Sequence, residues 1–348
     1  MDAAGSKGET GRRVRVGVIG CGERAEVYCA AAGQVPEIEI GACADVRLEA
    51  AERFQRTYGG QYATSEIERV LADPAIEAVW ICTWHDSHTA LATAAAEHGK
   101  HLLIEKPLAL SVAECWQIET AVQHAGVAAC VGFKMRFMPL VRRAKQLLDR
   151  PLLMVGQMMN GRIADEHWSQ RPGVGGGNVL GAGCHTADLL CYLAGADPVE
   201  VYAAGGTLTH QYTEVIDNVT ATVKFANGVV ANLIQGDAGR NPYASTFFCE
   251  LFGLEKGVCL YDRFHQATLW GFAQNRLGPE DLSAPERADI EGDAALLRHF
   301  AHCVRDGRPS EASVRDGRVA TQLMVKICDS IRSGRVQKVE TDWQARYE

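Results

Sequence analysis

Lys106 ends a short apolar run, His101-Leu102-Leu103-Ile104, inside the tripeptide Glu105-Lys106-Pro107. An ammonium at the tip of a buried strand is partly desolvated, which disfavours its charge and moves a lysine toward general-base chemistry. The plainer alternative is a surface lysine paired with Glu105. Pro107, which holds Lys106 in extended geometry, suits either reading. Downstream lie Gly175-Gly176-Gly177 and then His185 and Asp188, whose spacing lets them share one helix face. Successive glycines give a loop the backbone freedom to approach a ligand. On its own His185 reads as a buried, satisfied histidine; beside a reactive lysine it reads as a proton-transfer group.

What the lysine acts beside is indicated near the start of the chain. Gly20-Cys21-Gly22-Glu23-Arg24-Ala25 fits GxGxxA between an apolar run and a helical pattern. There glycines allow a tight turn, and backbone N–H groups at the helix N-terminus face a pyrophosphate. A glycine pattern alone is a weak signal, but Asp45 ends the next strand at the spacing where an acid accepts from the adenosine ribose hydroxyls. These residues are expected to bind a nicotinamide dinucleotide. The carboxylate repels a 2′-phosphate and favours NAD; Arg47 and Arg24, able to swing toward a phosphate, keep NADP open. Cys82 ends another strand, and Thr83, Trp84 and His88 follow it at the carboxyl edge, where ligands lie in open α/β sheets; Thr83 could meet ribose or pyrophosphate. For His88 alone, a helix-start histidine satisfied by backbone is the simpler reading. Glu105 and Lys106 are placed beside the nicotinamide, whose positive charge further weakens the lysine's hold on its proton.

The elements that must position these residues follow from the pattern. A chain of 348 residues exceeds one ordinary core, so two domains are expected. Residues 13–132 alternate β-branched runs with helical patterns, the mark of a parallel sheet wound with helices. Strands are read at Val14 to Ile19, Ile38 to Ala44, Ala78 to Cys82, His101 to Ile104 and Ala128 to Gly132. Ser111 and Glu114 open the clearest helix with a capping-box pattern. Residues 133–340 read as an α+β domain with a large, mostly antiparallel open sheet. Its strands are Leu152 to Met159, Val199 to Thr207, Asn218 to Phe225, Val229 to Ile234 and Phe247 to Phe252, with Asn227-Gly228 as a hairpin turn. Two closing helices, Ala294 to Arg305 and Arg318 to Ser333, are expected to pack back across the first domain.

Composition excludes several classes. The net charge of −8 gives no basic footprint for nucleic acid or an anionic membrane. No apolar stretch reaches a membrane span, and the polar first dozen residues read as a tail without a secretory signal. Twelve dispersed cysteines without a CxxC pair read as reduced thiols packed as small hydrophobes in a cytoplasmic protein. His85/His88, His98/His101 and His299/His302 are each three apart, but no ligand set completes a metal shell, and no metal is expected.

GVIGCG with the terminal Asp45, the EKP tripeptide, Arg136-Phe137 before Pro139, and GGG followed by Gly-x-His-x-x-Asp occur together and in order. In this the chain resembles the glucose-fructose oxidoreductase, inositol dehydrogenase and MocA family over nearly its whole length. The resemblance implies a Rossmann domain followed by an α/β domain with an open sheet, nicotinamide at the domain cleft, and homodimers or homotetramers formed through the sheets. It implies reversible oxidation of a secondary hydroxyl of a sugar, polyol or inositol. Lys106 becomes the catalytic lysine, His185 its proton-transfer partner and Asp188 a ligand of a substrate hydroxyl. Trp168 and Arg171 lie where members bring a loop to the nicotinamide. Arg162 and Tyr243, in two donor-rich loops, join the substrate set, and Arg136 is structural or at the cleft edge. One departure stands out: dehydrogenases of the family often carry an aspartate four residues before the histidine, where this chain has Gly181. Lys106 and His185 must then carry the proton work, or a tightly held cofactor serves a redox-neutral epimerase, lyase or glycosidase reaction. A non-catalytic NAD-binding protein is the third reading.

Overall fold

The computed structural model describes residues 11–210, 212–240 and 246–341. The first domain is a six-stranded, wholly parallel sheet of β1 (Val14–Ile19), β2 (Ile38–Ala44), β3 (Tyr62–Thr64), β4 (Ala78–Ile81), β5 (His101–Ile104) and β6 (Ala129–Val131), in the order β3-β2-β1-β4-β5-β6. Its crossovers carry α1 (Glu23–Ala32), α2 (Leu48–Tyr58), α3 (Ile67–Ala72), α4 (His88–Glu97) and α5 (Val112–Ala125). β1 and β4 are apolar and buried almost throughout, as a sheet covered on both faces requires. All strands run the same way, so their carboxyl ends deliver Gly20, Asp45, Cys82 and Lys106 to a single edge. β3 was not read from the sequence, because three residues, two of them half-buried, leave too little pattern.

The second domain adds α6 (Pro139–Leu147), β7 (Leu153–Gly161), α7 (Gly177–Gly181), α8 (Gly183–Ala194), β8 (Pro198–Gly206), β9 (Asn218–Phe225), β10 (Val230–Gly239), β11 (Phe247–Gly253), β12 (Lys256–Tyr261), β13 (Gln266–Trp270), β14 (Arg276–Leu277), α9 (Ala284–Ala288), α10 (Asp293–Asp306), α11 (Val314–Ser333) and β15 (Gln337–Lys338). Nine strands form one sheet in the order β14-β13-β12-β11-β7-β10-β9-β8-β15. It is antiparallel except at its centre, where β7 and β10 run parallel, so consecutive hairpins do not account for all of it. α8 packs on β7 and β10, and α11 on β8. The other face is open: the register row Tyr202, Thr222, Asn232, Val155, Glu250, Cys259 and Thr268 crosses the sheet without a buried residue. At the Asn227-Gly228 hairpin only Gly228 takes positive φ.

The closing helices join the domains. α10 lies on α1, and α11 lies against both α5 and α8. Buried Arg318 of α11 reaches Glu119 of α5 at 2.5 Å and stacks 3.7 Å from the Trp116 ring. Among the described residues no helix is long and apolar enough to cross a membrane, and all twelve cysteines are free thiols.

Candidate active site

The turn after β1 is held by backbone bonds: Gly20 N–H donates to Ala44 O and Cys21 N–H to Asp45 Oδ2, both at 2.8 Å. Gly20 sits at φ +88°, and a Cβ there would lie 2.8 Å from the Cys82 carbonyl. Only glycine lets the ends of β1 and β4 come this close. Gly22 caps α1 without a side-chain cap, and nothing lies within 4 Å of where its Cβ would stand. Open space in front of uncapped amides at a helix N-terminus fits a pyrophosphate. Asp45 Oδ1 accepts from Arg47 N–H at 2.9 Å, and the Arg47 guanidinium is exposed beside it. Buried Ala25 lets α1 pack on the sheet, and Glu23 is exposed next to the loop.

Glu105 is the charge hub beneath the cleft. Its carboxylate takes Arg24 Nε at 2.7 Å, the Tyr28 hydroxyl, and the backbone N–H of Lys106 at 3.1 Å. Burial opposes its charge, but Arg24, Lys106 and Tyr28 outweigh burial and hold the carboxyl below its usual value. The surface Glu105–Lys106 pair weighed from sequence is therefore not formed. The Arg24 guanidinium also binds Asp293 of α10 at 2.6 Å, so its Nε and Nη2 are both engaged by carboxylates. Its backbone N–H lies in the first turn of α1, where no intrahelical bond takes it.

Beyond β4, half-exposed Trp84 stacks on Trp168 of the second domain at 5.3 Å with the rings 7° from parallel. Thr83 Oγ1 is bound by the Ser87 hydroxyl at 2.6 Å. Cys82 is buried with its thiol's ionisation disfavoured by that burial. His88 is fully buried, with Nδ1 2.9 Å from Pro107 O and Nε2 3.3 Å from Thr83 O. It ties the β4 turn to the EKP turn, whose Lys106-Pro107 bond is cis. This corrects its expected cofactor role, since both nitrogens face backbone carbonyls.

Half-buried Lys106 donates through Nζ to Gly181 O at 3.2 Å. His185, on the same α7–α8 segment, leans edge-on over Phe133 at 6.1 Å, and its Nδ1 is buried without a partner among the described residues. Burial, then the charges of Lys106, Arg24 and Lys134, push its pKa well below the usual value, so the ring is neutral. The structure thus brings Lys106 and His185 to the same cleft.

Asp188 is not with them. Both its oxygens are taken by Arg136, through Nε at 2.9 and 3.1 Å and Nη2 at 2.6 Å, and its side chain is 1% exposed. Arg136 further binds Asp316 at 3.1 Å and the Glu311 carbonyl. Asp188 is an interior ion-pair partner rather than a ligand of a substrate hydroxyl: the helical spacing that relates it to His185 did not reveal the arginine waiting behind it. Arg162, also expected at the substrate, gives Nη2 to Asp165 at 2.7 Å and Nε to Thr209 O at 3.2 Å. It braces the loop that carries Trp168. Asp165 in turn meets His210 Nδ1, whose Nε2 meets Asp237, both at 2.5 Å. Tyr243 lies outside the described residues.

Two further clusters hold donor atoms close together. In one, His299 Nε2 already accepts from the Glu311 N–H at 2.9 Å and faces Cys303 Sγ at 3.3 Å. In the other, Asp217 accepts three backbone N–H bonds while His210 lies between Asp165 and Asp237. In both, lone pairs are spent within the protein. The residue that sequence reasoning missed is His85, which follows Trp84 on the same sheet edge and lies beside Gly181.

Residues 14–133 match the family described as "Oxidoreductase family, NAD-binding Rossmann fold", and residues 141–258 match the GFO/IDH/MocA C-terminal domain. The scyllo-inositol 2-dehydrogenase (NAD(+)) of Bacillus subtilis (strain 168) is 27% identical over 334 residues, 92% of this chain and 95% of the relative. The levoglucosan dehydrogenase of Pseudarthrobacter phenanthrenivorans is 28% identical over 294 residues, covering 72% and 75% of the two chains. A structure of levoglucosan dehydrogenase in complex with NADH superposes with a TM-score of 0.86 at 24% identity, over 94% of this chain and 100% of that one. The chain belongs to the GFO/IDH/MocA family and is an NAD-binding oxidoreductase.

Proposed function

We propose that the protein oxidises one secondary hydroxyl of a sugar, polyol or inositol-type substrate with NAD, using Lys106 and His185 for proton transfer. The observation that carries this reading is a lysine that lowers the pKa of a half-buried imidazole, at the sheet edge that carries the dinucleotide loop. When bound, NAD accepts the hydride from the carbinol carbon. Gly20, Gly22 and the first turn of α1 would hold its pyrophosphate, Asp45 its adenosine ribose, and Trp84 with Trp168 would border the nicotinamide. Lys106 would donate a hydrogen bond to the reacting oxygen and stabilise the charge that develops as its proton leaves. His185, held neutral, would take that proton at Nε2, since Nδ1 is enclosed. The inositol- and levoglucosan-named relatives support the substrate class.

The test is a panel of scyllo-inositol, myo-inositol, levoglucosan and 1,5-anhydro sugars, read by the absorbance of reduced nicotinamide. Lys106→Ala should lower turnover by about 10²- to 10⁴-fold while NADH still quenches tryptophan fluorescence. Full turnover in that variant would refute the role. One observation favours a second reading: Lys106 rests on a neutral carbonyl, Gly181 O, where an acid is common. A redox-neutral enzyme would release tightly held cofactor on denaturation and convert its sugar without reducing added NAD. The open face of the nine-stranded sheet, with exposed Tyr202 and Trp270, supports a homodimer or homotetramer. Light scattering on the eluting protein decides between these and a monomer.

A further inference from the structure

Gly181 has a neighbour that explains it. A Cβ at this position would lie 3.0 Å from Cε1 of His85 and 3.4 Å from Gly175 O. The ring is not at liberty to retreat, because Nδ1 is bonded to Gly175 O at 2.9 Å and Trp168 stands edge-on at 4.8 Å. A carbonyl only accepts, so Nδ1 carries the hydrogen and Nε2 carries the lone pair. Nε2 makes no hydrogen bond among the described residues and is not enclosed. On the other side, Lys106 Nζ bonds to Gly181 O. Lysine and histidine therefore flank one glycine, and His85 fills the space a side chain at 181 would need.

We propose that His85 stands in for the missing acid: its Nε2 accepts a hydrogen bond from a substrate hydroxyl and orients that substrate against Lys106. The proposal rests on the dehydrogenase reading above. Burial, then His88 and Lys106, pull the pKa of His85 down to about 3, against the pull of the Gly175 bond. The group is thus an uncharged acceptor where a carboxylate would be anionic. An acceptor-only nitrogen selects for a hydroxyl donor, because an ether or keto oxygen would leave two lone pairs facing each other. Gly181 and His85 form a matched pair: a side chain at one crowds the ring of the other.

Two cycles test this on the full-length protein. In the first, His85→Ala, His85→Asn, His85→Phe and the double variant His85→Ala/Gly181→Asp are compared on the sugar panel at equal NAD occupancy. His85→Ala and His85→Phe should lose about 10- to 100-fold in kcat/KM, the scale of one unmade polar contact. His85→Asn, which keeps an acceptor, should retain more. The double variant should recover most of the loss. His85→Phe with wild-type turnover would overturn the proposal, because it fills the space without an acceptor. The second cycle needs no substrate: Gly181→Ala should lower the melting temperature by a few degrees with His85 present and by much less in a His85→Ala background. Additive shifts would overturn the pairing. If the wild type oxidises nothing on the panel while the melting cycle shows coupling, the dehydrogenase reading falls and the shared space stands.

Discussion

Asp188 separates two accounts of the cleft, and replacing it with asparagine tells them apart. If the carboxylate served a substrate hydroxyl, Asp188→Asn would raise KM and leave the fold untouched. The structure instead puts the carboxylate 1% exposed in a two-oxygen grip by Arg136, itself 7% exposed. Removing one partner of a buried pair leaves the other charge uncompensated, at a cost of about 3–5 kcal/mol. Two features place this case at the low end. Arg136 keeps Asp316 at 3.1 Å, whose side chain is 27% exposed, and it keeps the Glu311 carbonyl. Asparagine also preserves the shape and can still accept one guanidinium hydrogen bond. About 3 kcal/mol is the expected loss, read as a lower urea midpoint by tryptophan fluorescence. The folded fraction should bind NADH and saturate with substrate as the wild type does. An unchanged midpoint with a KM raised tenfold or more would show that Asp188 faces substrate and would refute the ion-pair argument.

Other outcomes follow from single residues. Gly20→Ala forces a Cβ to 2.8 Å from the Cys82 carbonyl at φ +88°, so it should cost about 1–3 kcal/mol of strain and weaken NADH binding in a fluorescence titration; tight binding at wild-type stability would contradict the turn geometry. His210 carries a pH dependence. Burial lowers its pKa, but its bonds to Asp165 and Asp237 outweigh burial and raise it above the ordinary histidine value. A raised folded pKa gives stability that is complete below about pH 6.5, the unfolded value, and that disappears as pH climbs through the folded pKa. The wild type's melting temperature should therefore fall relative to His210→Gln as pH rises through that window, and parallel curves would show that the bridge holds no proton. Since Asp165 also holds Arg162 on the Trp168 loop, Asp165→Asn should weaken quenching of the tryptophans by NADH, and an unchanged titration would show that the loop keeps its place without this network.

Much of the architecture was legible because its causes are local. Strands buried on both faces need unbroken apolar runs, and β1, β2 and β5 have the expected bounds to the residue. Ser111 accepts from the Glu114 N–H at 3.2 Å, as its spacing to Glu114 implied. What escaped notice depends on partners distant in sequence. β12 and β13 have half-exposed alternation with positive-φ residues Asp262, Arg263 and Phe264 between them, and no glycine there announces the turn. The parallel pairing of β7 with β10 joins strands separated by α7, α8, β8 and β9, so no adjacent pattern encodes it.

The site divides along the same line. Gly20, Gly22, Asp45 and Lys106 stand at the ends of strands, where chain direction alone sets their place, and the sheet delivers them together. Arg24, Arg136, Arg162 and His88 have roles decided by acceptors elsewhere: Asp293, Asp188, Thr209 and Pro107. Charge type predicts that such residues want a partner, but not which one, and a buried arginine takes the carboxylate that geometry offers before any ligand arrives. His85 and Gly181 are the extreme case. A glycine four residues before a histidine reads only as a loss, and His85, three before His88, reads only as half of an incomplete metal pair. Their meaning is in a meeting of two domains where a Cβ at 181 would come within 3.0 Å of the His85 ring, and what one position gives up in side chain the other supplies as an acceptor. A relative with a side chain at the first position should therefore have a residue smaller than histidine at the second.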